Sequence, residues 1–80
     1  MPTRVNCSFV DGLMPNEKIA RIKGADGRLE EVEVSTLNIE NNKLLAFVVG
    51  KRGEDVLIEL PRESTSGRWR MWVNQSLVGA

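Results

Sequence analysis

Residues 67–73 hold both tryptophans of the chain and two of its arginines. In an extended strand, successive side chains point to opposite faces, so this stretch predicts an inner and an outer face. The inner face carries Trp69, Met71 and Val73. The outer face carries Arg68, Arg70 and Trp72. An outward indole between guanidinium groups can stack on a nucleobase, pack on a peptide or fill a contact with a second copy. The stretch therefore predicts a contact surface.

Residues suited to catalysis are scarce. The chain has no histidine, no tyrosine and a single cysteine. It therefore has no Ser-His-Asp or Cys-His triad, no common general base and no Cys/His zinc set. The acidic residues Glu30, Glu31, Glu33 and Glu40 would need a shaped cavity to bind a cation or to act as an acid–base pair. Alternation instead favours a solvated strand face, so we predict a protein that is not an enzyme and uses no cofactor or metal.

A second basic feature is the segment Gly50-Lys51-Arg52-Gly53. Its spacing matches the GxxG loop of KH domains, but the valine- and isoleucine-rich flanks favour a β-hairpin tip. Lys51 and Arg52 at such a tip, together with Arg62, are candidate phosphate contacts. Eleven basic residues balance eleven acidic ones, so the net charge gives no general attraction to nucleic acid.

Length and composition predict one small domain over residues 1–80. Cys7 is the only cysteine, so no intramolecular disulfide forms and a reducing, cytoplasmic location is expected. Cys7 lies between Val5 and Phe9 in an alternating segment, which favours a small buried side chain over a reactive thiol. The longest apolar run, Leu44–Val49, is far shorter than the roughly 18 residues needed to cross a bilayer. We therefore predict no membrane contact.

Alternation and turn residues predict five or six short strands. Those before the tryptophan strand are residues 4–10, 17–24, 28–35, 44–49 and 55–60. The Asp26-Gly27 pair predicts a hairpin, although residues 28–37 also permit a helix. The runs 44–49 and 55–60 are continuously apolar, which indicates strands covered on both faces by a closed barrel or by a homodimer. Four large side chains are predicted to be core residues: Phe9, Phe47, Trp69 and Met71.

The C-terminal region resembles the end of an SH3-like barrel. Trp69-Arg70-Met71-Trp72-Val73 is followed by Asn74-Gln75-Ser76 and then Leu77-Val78, as when a strand passes through a short helical turn into a closing strand. The hairpin of residues 44–60 would supply two middle strands. The resemblance implies an all-β fold, a small SH3-like barrel of five to six antiparallel strands. It implies no ligand, because the tyrosines that line a proline-rich peptide groove are missing.

These observations predict a non-enzymatic module that binds a protein partner through Arg68, Arg70 and Trp72. The alternative is a nucleic-acid-binding barrel that uses the same face with Lys51, Arg52 and Arg62. The sequence leaves one alternative open for Trp72, which is either exposed to a ligand or covered by the loop at residues 62–67.

Overall fold

Two antiparallel sheets make up the computed structural model, which describes residues 2–79. The strands are β1 (Thr3–Val5), β2 (Ser8–Asp11), β3 (Glu17–Lys23), β4 (Leu29–Ser35), β5 (Ile39–Glu40), β6 (Lys43–Arg52), β7 (Asp55–Glu59), β8 (Arg70–Asn74) and β9 (Val78–Gly79). Two 3₁₀ turns, Thr36–Asn38 and Gln75–Leu77, precede β5 and β9. The all-β prediction is confirmed, and the helical alternative for residues 28–37 is wrong. No helix within residues 2–79 has the length and apolar character needed to cross a membrane.

The smaller sheet is a meander in the order β2-β3-β4. The predicted hairpin between β3 and β4 is confirmed. Gly27 has a φ of 84°, a conformation that only glycine adopts without strain, and its N–H donates to the carbonyl of Gly24 at 2.9 Å. The Asp26 carboxylate accepts the backbone N–H of Arg28 at 3.0 Å. This turn fixes the position of Arg28, which directly precedes β4.

The larger sheet has the order β8-β7-β6-β1-β9, and β5 also pairs with β6. A tight turn joins β5 to β6 through Asn41 and Asn42, which have φ values of 52° and 61°. Asparagine tolerates this left-handed conformation better than other residues with a Cβ. The turn between β6 and β7 is shorter than predicted. It holds only Gly53 and Glu54, so Lys51 and Arg52 belong to the strand.

The same arrangement occurs twice: β4 and β8 are each followed by a 3₁₀ turn and then by a two-residue strand, β5 or β9. In the first copy the Ser35 hydroxyl accepts the N–H of Leu37 at 3.2 Å, and in the second the Asn74 side chain accepts the N–H of Ser76 at 2.9 Å. The second copy ends in β9, which pairs with β1. The short helical turn and closing strand predicted for the C-terminus are therefore present.

The core lies between the two sheets and consists mainly of aliphatic side chains. Its largest fully enclosed members are Val5, Ile22, Val32, Val34, Leu44, Ile58 and Val73. Met71 is buried and Phe9 packs against the core, as predicted.

Phe47 and Trp69 are not core residues, which corrects the prediction for both. Phe47 is 51% exposed because it points to the outer side of β6, opposite Glu59 of β7. Trp69 is 55% exposed and precedes the first residue of β8, so the alternation of that strand does not direct its side chain inward. Residues 47–49 are exposed within the single chain, so the barrel does not cover them on both faces.

Cys7 lies in the link between β1 and β2 and packs against the core, half-buried. The predicted strand over residues 4–10 is divided at this link, because β1 and β2 belong to different sheets. Burial raises the pKa of the Cys7 thiol from 9.0 to about 11, and a hydrogen bond with the Leu44 backbone lowers it by less. Since a thiolate is the reactive form, this environment suits an unreactive side chain.

We expect Cys7 to react with a thiol reagent much more slowly in the folded protein than in denaturant at about pH 8. Below pH 9 the thiol is mostly neutral in both states, with the larger thiolate fraction in the unfolded state, and above pH 9 the unfolded state ionises first. Stability is therefore lost as pH rises from about 9 toward 11. Urea unfolding of the wild type and of Cys7→Ala across this range measures the effect, and the wild type should lose more stability. Equal losses would contradict the raised pKa.

Candidate functional site

Trp72 and three arginines line a pocket of about 540 Å³. The arginines come from separate parts of the chain. Arg28 follows the β3–β4 turn, Arg52 ends β6, and Arg68 lies in the loop before β8. The pocket therefore forms only when both sheets and this loop are in place.

A backbone hydrogen bond joins the two sheets beside the pocket. The N–H of Ala25, in the β3–β4 turn, donates to the carbonyl of Trp72 at 2.8 Å. Because β8 is at the end of its sheet, this bond uses an edge carbonyl that β7 does not reach. The turn that carries Arg28 is thereby held against the strand that carries Trp72.

Arg52 stacks on Trp72, with its guanidinium carbon 4.4 Å from the centre of the indole ring. The pairing of β6, β7 and β8 explains the contact. Arg52 is opposite Asp55, Trp72 is opposite Leu57, and all four side chains lie on the outer face. A cation over an indole face is attracted by the ring quadrupole. The group stacked on Trp72 is thus Arg52, while the loop at residues 62–67 contributes Ser66 to the same pocket.

Ser64 fixes the loop that carries Arg68. It is 5% exposed, and its hydroxyl donates to the Glu30 carboxylate at 2.6 Å and accepts the Arg68 N–H at 3.0 Å. The Ser64 N–H donates to the Arg68 carbonyl at 2.7 Å, which closes a tight turn. The Ser66 hydroxyl also donates to Glu30. Hydrogen bonds from Ser64 and then Ser66 hold the pKa of the Glu30 carboxyl below its usual value.

The pocket contains the three arginines that form no ion pair with any residue between Pro2 and Gly79. Four arginines pair with carboxylates elsewhere: Arg4 with Glu40, Arg21 with Glu31, Arg62 with Glu17 and Glu33, and Arg70 with Glu59. The other three are Arg28, Arg52 and Arg68. Within residues 2–79, none of these three has a carboxylate oxygen within 4.0 Å. These guanidinium groups therefore have no close ion partner, although the charge of Arg68 contributes to the lowered pKa of Glu30.

Three carboxylates also line the pocket, from Asp26, Glu30 and Asp55. Glu30 accepts the two serine hydroxyls, and Asp26 accepts a backbone N–H. The lining is therefore of mixed sign, with unpaired guanidinium groups beside hydrogen-bond acceptors. Such a lining favours a ligand that carries both a negative group and hydrogen-bond donors.

The predicted site residues formed two sets, one for a protein partner (Arg68, Arg70 and Trp72) and one for nucleic acid (Lys51, Arg52 and Arg62). Neither set stays together in the fold. Arg68 and Trp72 from the first set meet Arg52 from the second. Arg70 lies outside the pocket, 3.3 Å from Glu59, and Arg62 lies 3.7 Å from Glu17 in the smaller sheet. Lys51 is exposed on β6 and is not part of the lining.

Arg28 is not among the predicted site residues, although its position just after the Asp26-Gly27 turn places it at an exposed hairpin end. The predicted acidic cluster is dispersed by the fold. Glu31, Glu33 and Glu40 each lie near a different arginine, and Glu30 is bound by serines. No set of carboxylates in the described part of the chain is grouped to hold a metal ion.

No family model matches the chain, and comparison with curated proteins and with solved structures finds no match. The candidate function must therefore be argued from the geometry of the pocket.

Proposed function

We propose that this protein is a non-catalytic module that binds an acidic segment of a partner protein in the arginine pocket, the site formed by Arg28, Arg52, Arg68 and Trp72. One observation carries the proposal. Among residues 2–79, the fold pairs every arginine outside the pocket with a carboxylate and gives the three inside it no ion pair.

The chemistry of these side chains suits a carboxylate ligand. A guanidinium group presents a planar set of donors that matches the two oxygens of a carboxylate. Arg52 is already ordered by its stack on Trp72, so less side-chain freedom is lost when it binds. The pocket carboxylates disfavour a densely charged polyanion, because its other phosphates would face Asp26 and Asp55. An isolated acidic residue flanked by amide donors avoids this repulsion.

Two further features belong to this proposal. We propose a reducing, cytoplasmic location, supported by the single cysteine and by its protected thiol. We also propose an SH3-like architecture, supported by the passage from β8 through a 3₁₀ turn into β9, which closes on β1.

The test is a triple substitution with a matched control. Arg28→Gln, Arg52→Gln and Arg68→Gln together change the net charge from 0 to −3. Arg21→Gln, Arg62→Gln and Arg70→Gln together make the same change outside the pocket. The probe is a fluorescein-labelled peptide of alternating glutamate and asparagine, followed by fluorescence anisotropy. We expect the pocket triple to weaken binding about 100-fold or more, because charge-assisted pairs contribute most of the affinity of such a site.

The control triple separates a built site from general attraction. If both triples weaken peptide binding equally, the peptide senses only net charge and the pocket is not the site. If the wild type does not bind the acidic peptide, the proposed ligand class is wrong. Circular dichroism of each variant verifies that the fold is retained.

Single-stranded nucleic acid is the second candidate, and the Arg52–Trp72 stack favours it. Arg52 is exposed above the indole and Lys51 precedes it, so a base could stack on the guanidinium while Lys51 meets a phosphate. A labelled polythymidine strand tests this reading in the same assay. Its affinity should fall steeply with salt and should depend on Lys51. Loss of binding in Lys51→Gln with unchanged peptide affinity would assign the two ligands to different contacts.

A further inference from the structure

The second half of β6 has a hydrogen-bonded neighbour on only one side. β1 pairs with residues 44–46 of β6, and Pro2, which has no backbone N–H, precedes the first paired residue, Thr3. From Phe47 to Arg52, β7 pairs with one edge, and no described strand pairs with the other. An unpaired strand edge is a template for another strand.

The side chains along this segment are apolar and exposed. Phe47, Val48 and Val49 are 51%, 46% and 42% exposed. Three consecutive large apolar residues on an edge strand are unusual in a monomer, because native edges are normally protected by charge or by a covering element. The cations Lys51 and Arg52 come only at the end of the segment.

We propose that a second copy of this chain pairs antiparallel with this edge, so that two β6 strands join the larger sheets into one. A two-fold axis between Val49 and Gly50 places Phe47 opposite Arg52 of the second copy and Val48 opposite its Lys51. These positions are all outside the part of β6 that β1 occupies. The contact is isologous, the usual form of a dimer interface.

The β-bulge in β6 makes this register compatible with the sheet faces. In a two-fold antiparallel pair, opposed residues must point to the same face. Phe47 is opposite Glu59, and Arg52 is opposite Asp55, which lies four residues earlier on β7 and on the same face. The register shift between Val48 and Gly50 therefore gives Phe47 and Arg52 the same orientation. Without the bulge, two residues five positions apart would point to opposite faces.

Self-complementarity argues for a second copy as the occupant, because the bulge lets the two halves of this segment pair with those of an identical segment on matching faces. The register sets Phe47 against a guanidinium and Val48 against the aliphatic stem of Lys51, so no two like charges are opposed. A single strand pair buries less than the roughly 1,200 Å² of a standard stable interface. We therefore expect a reversible dimer whose population rises with protein concentration.

Opposite charge substitutions at Val48 test the register. Val48→Lys sets a second ammonium group against Lys51 of the other copy, whereas Val48→Glu sets a carboxylate there. Sedimentation equilibrium over a range of protein concentrations should show a wild-type monomer–dimer equilibrium. We expect dissociation about tenfold easier in Val48→Lys and no easier than the wild type in Val48→Glu, since facing charges act with opposite sign.

Leu13→Lys is the matched control, since Leu13 is 92% exposed and lies in the β2–β3 loop. It should leave the dimer unchanged. Amide exchange in residues 47–52 should also slow with rising concentration in the wild type. A protein that stays monomeric, or a dimer that both Val48 variants weaken equally, would overturn the proposal. Because Arg52 belongs to both surfaces, the test substitutes only Val48, which is not part of the pocket lining.

Discussion

Ile58→Ala is expected to remove a large part of the stability of the domain. Ile58 is fully buried on β7, the strand between β6 and β8, and lies opposite Met71. Shortening an enclosed isoleucine to alanine costs about 2–5 kcal/mol, from lost burial and from the cavity that remains. A domain of this length has a total stability of about 4–12 kcal/mol. The substitution therefore removes between a sixth and all of it.

Leu57→Ala is the neighbouring control. Leu57 is on the outer face of the same strand and only partly buried, so its truncation leaves no enclosed cavity. Urea unfolding followed by circular dichroism gives both free energies of unfolding. We expect the loss in Ile58→Ala to be the larger by about 1 kcal/mol or more. Equal losses would mean that the core does not lie on the inner face of β7.

Ser64→Ala is expected to release the loop that positions Arg68. The substitution removes the hydroxyl that binds Glu30 and the acceptor for the Arg68 N–H, at the partly buried base of the loop. Loss of these hydrogen bonds costs about 1 kcal/mol, because the groups left without a partner are only partly buried. Arg68 would then lose its fixed place in the arginine pocket, so the acidic peptide should bind more weakly as well.

Thr65→Ala is the control for Ser64, because it alters the next residue on an exposed part of the loop. Two measurements separate the variants. The Arg68 amide should exchange faster in Ser64→Ala only, and the Glu30 pKa, followed by NMR, should rise toward its usual value. Since the native pKa of Glu30 is lowered, its contribution to stability is present at neutral pH and is lost as pH falls. Unchanged exchange and pKa in Ser64→Ala would show that Ser64 does not hold the loop.

Local sequence signals were sufficient where a turn residue or an alternation fixed the backbone. Gly27 was sufficient to predict the β3–β4 hairpin, and the alternation of Val32 and Val34 was sufficient to predict its buried face. The alternation of Met71 and Val73 likewise predicted the buried face of β8. Alternation failed for Trp69, because the strand begins one residue later. It failed for Phe47 because a continuous apolar run does not reveal whether a second layer covers it.

The site was only partly predictable, because strand register decides which charges meet. Trp72 and Arg68 were identified from their local context. Nothing in the sequence shows that Glu59 is opposite Arg70 and so neutralises it, nor that Arg62 reaches Glu17 across the fold. The contribution of Arg28 to the arginine pocket depends on the bond between Ala25 and Trp72, which joins two sheets. Such long-range pairings are properties of the fold as a whole.

The pairing of β1 with β9 also constrains how the chain can be assembled during synthesis. Val5 pairs with Val78 and Arg4 with Gly79, so β1 completes its hydrogen bonds only after β9, about 70 residues later, has been synthesised. The β2–β4 meander has all its strands by Ser35 and can form while the remainder is still being translated. Closing so long a loop costs conformational entropy that local hairpins do not incur. The larger sheet, and with it the arginine pocket, is therefore a late product of biosynthesis.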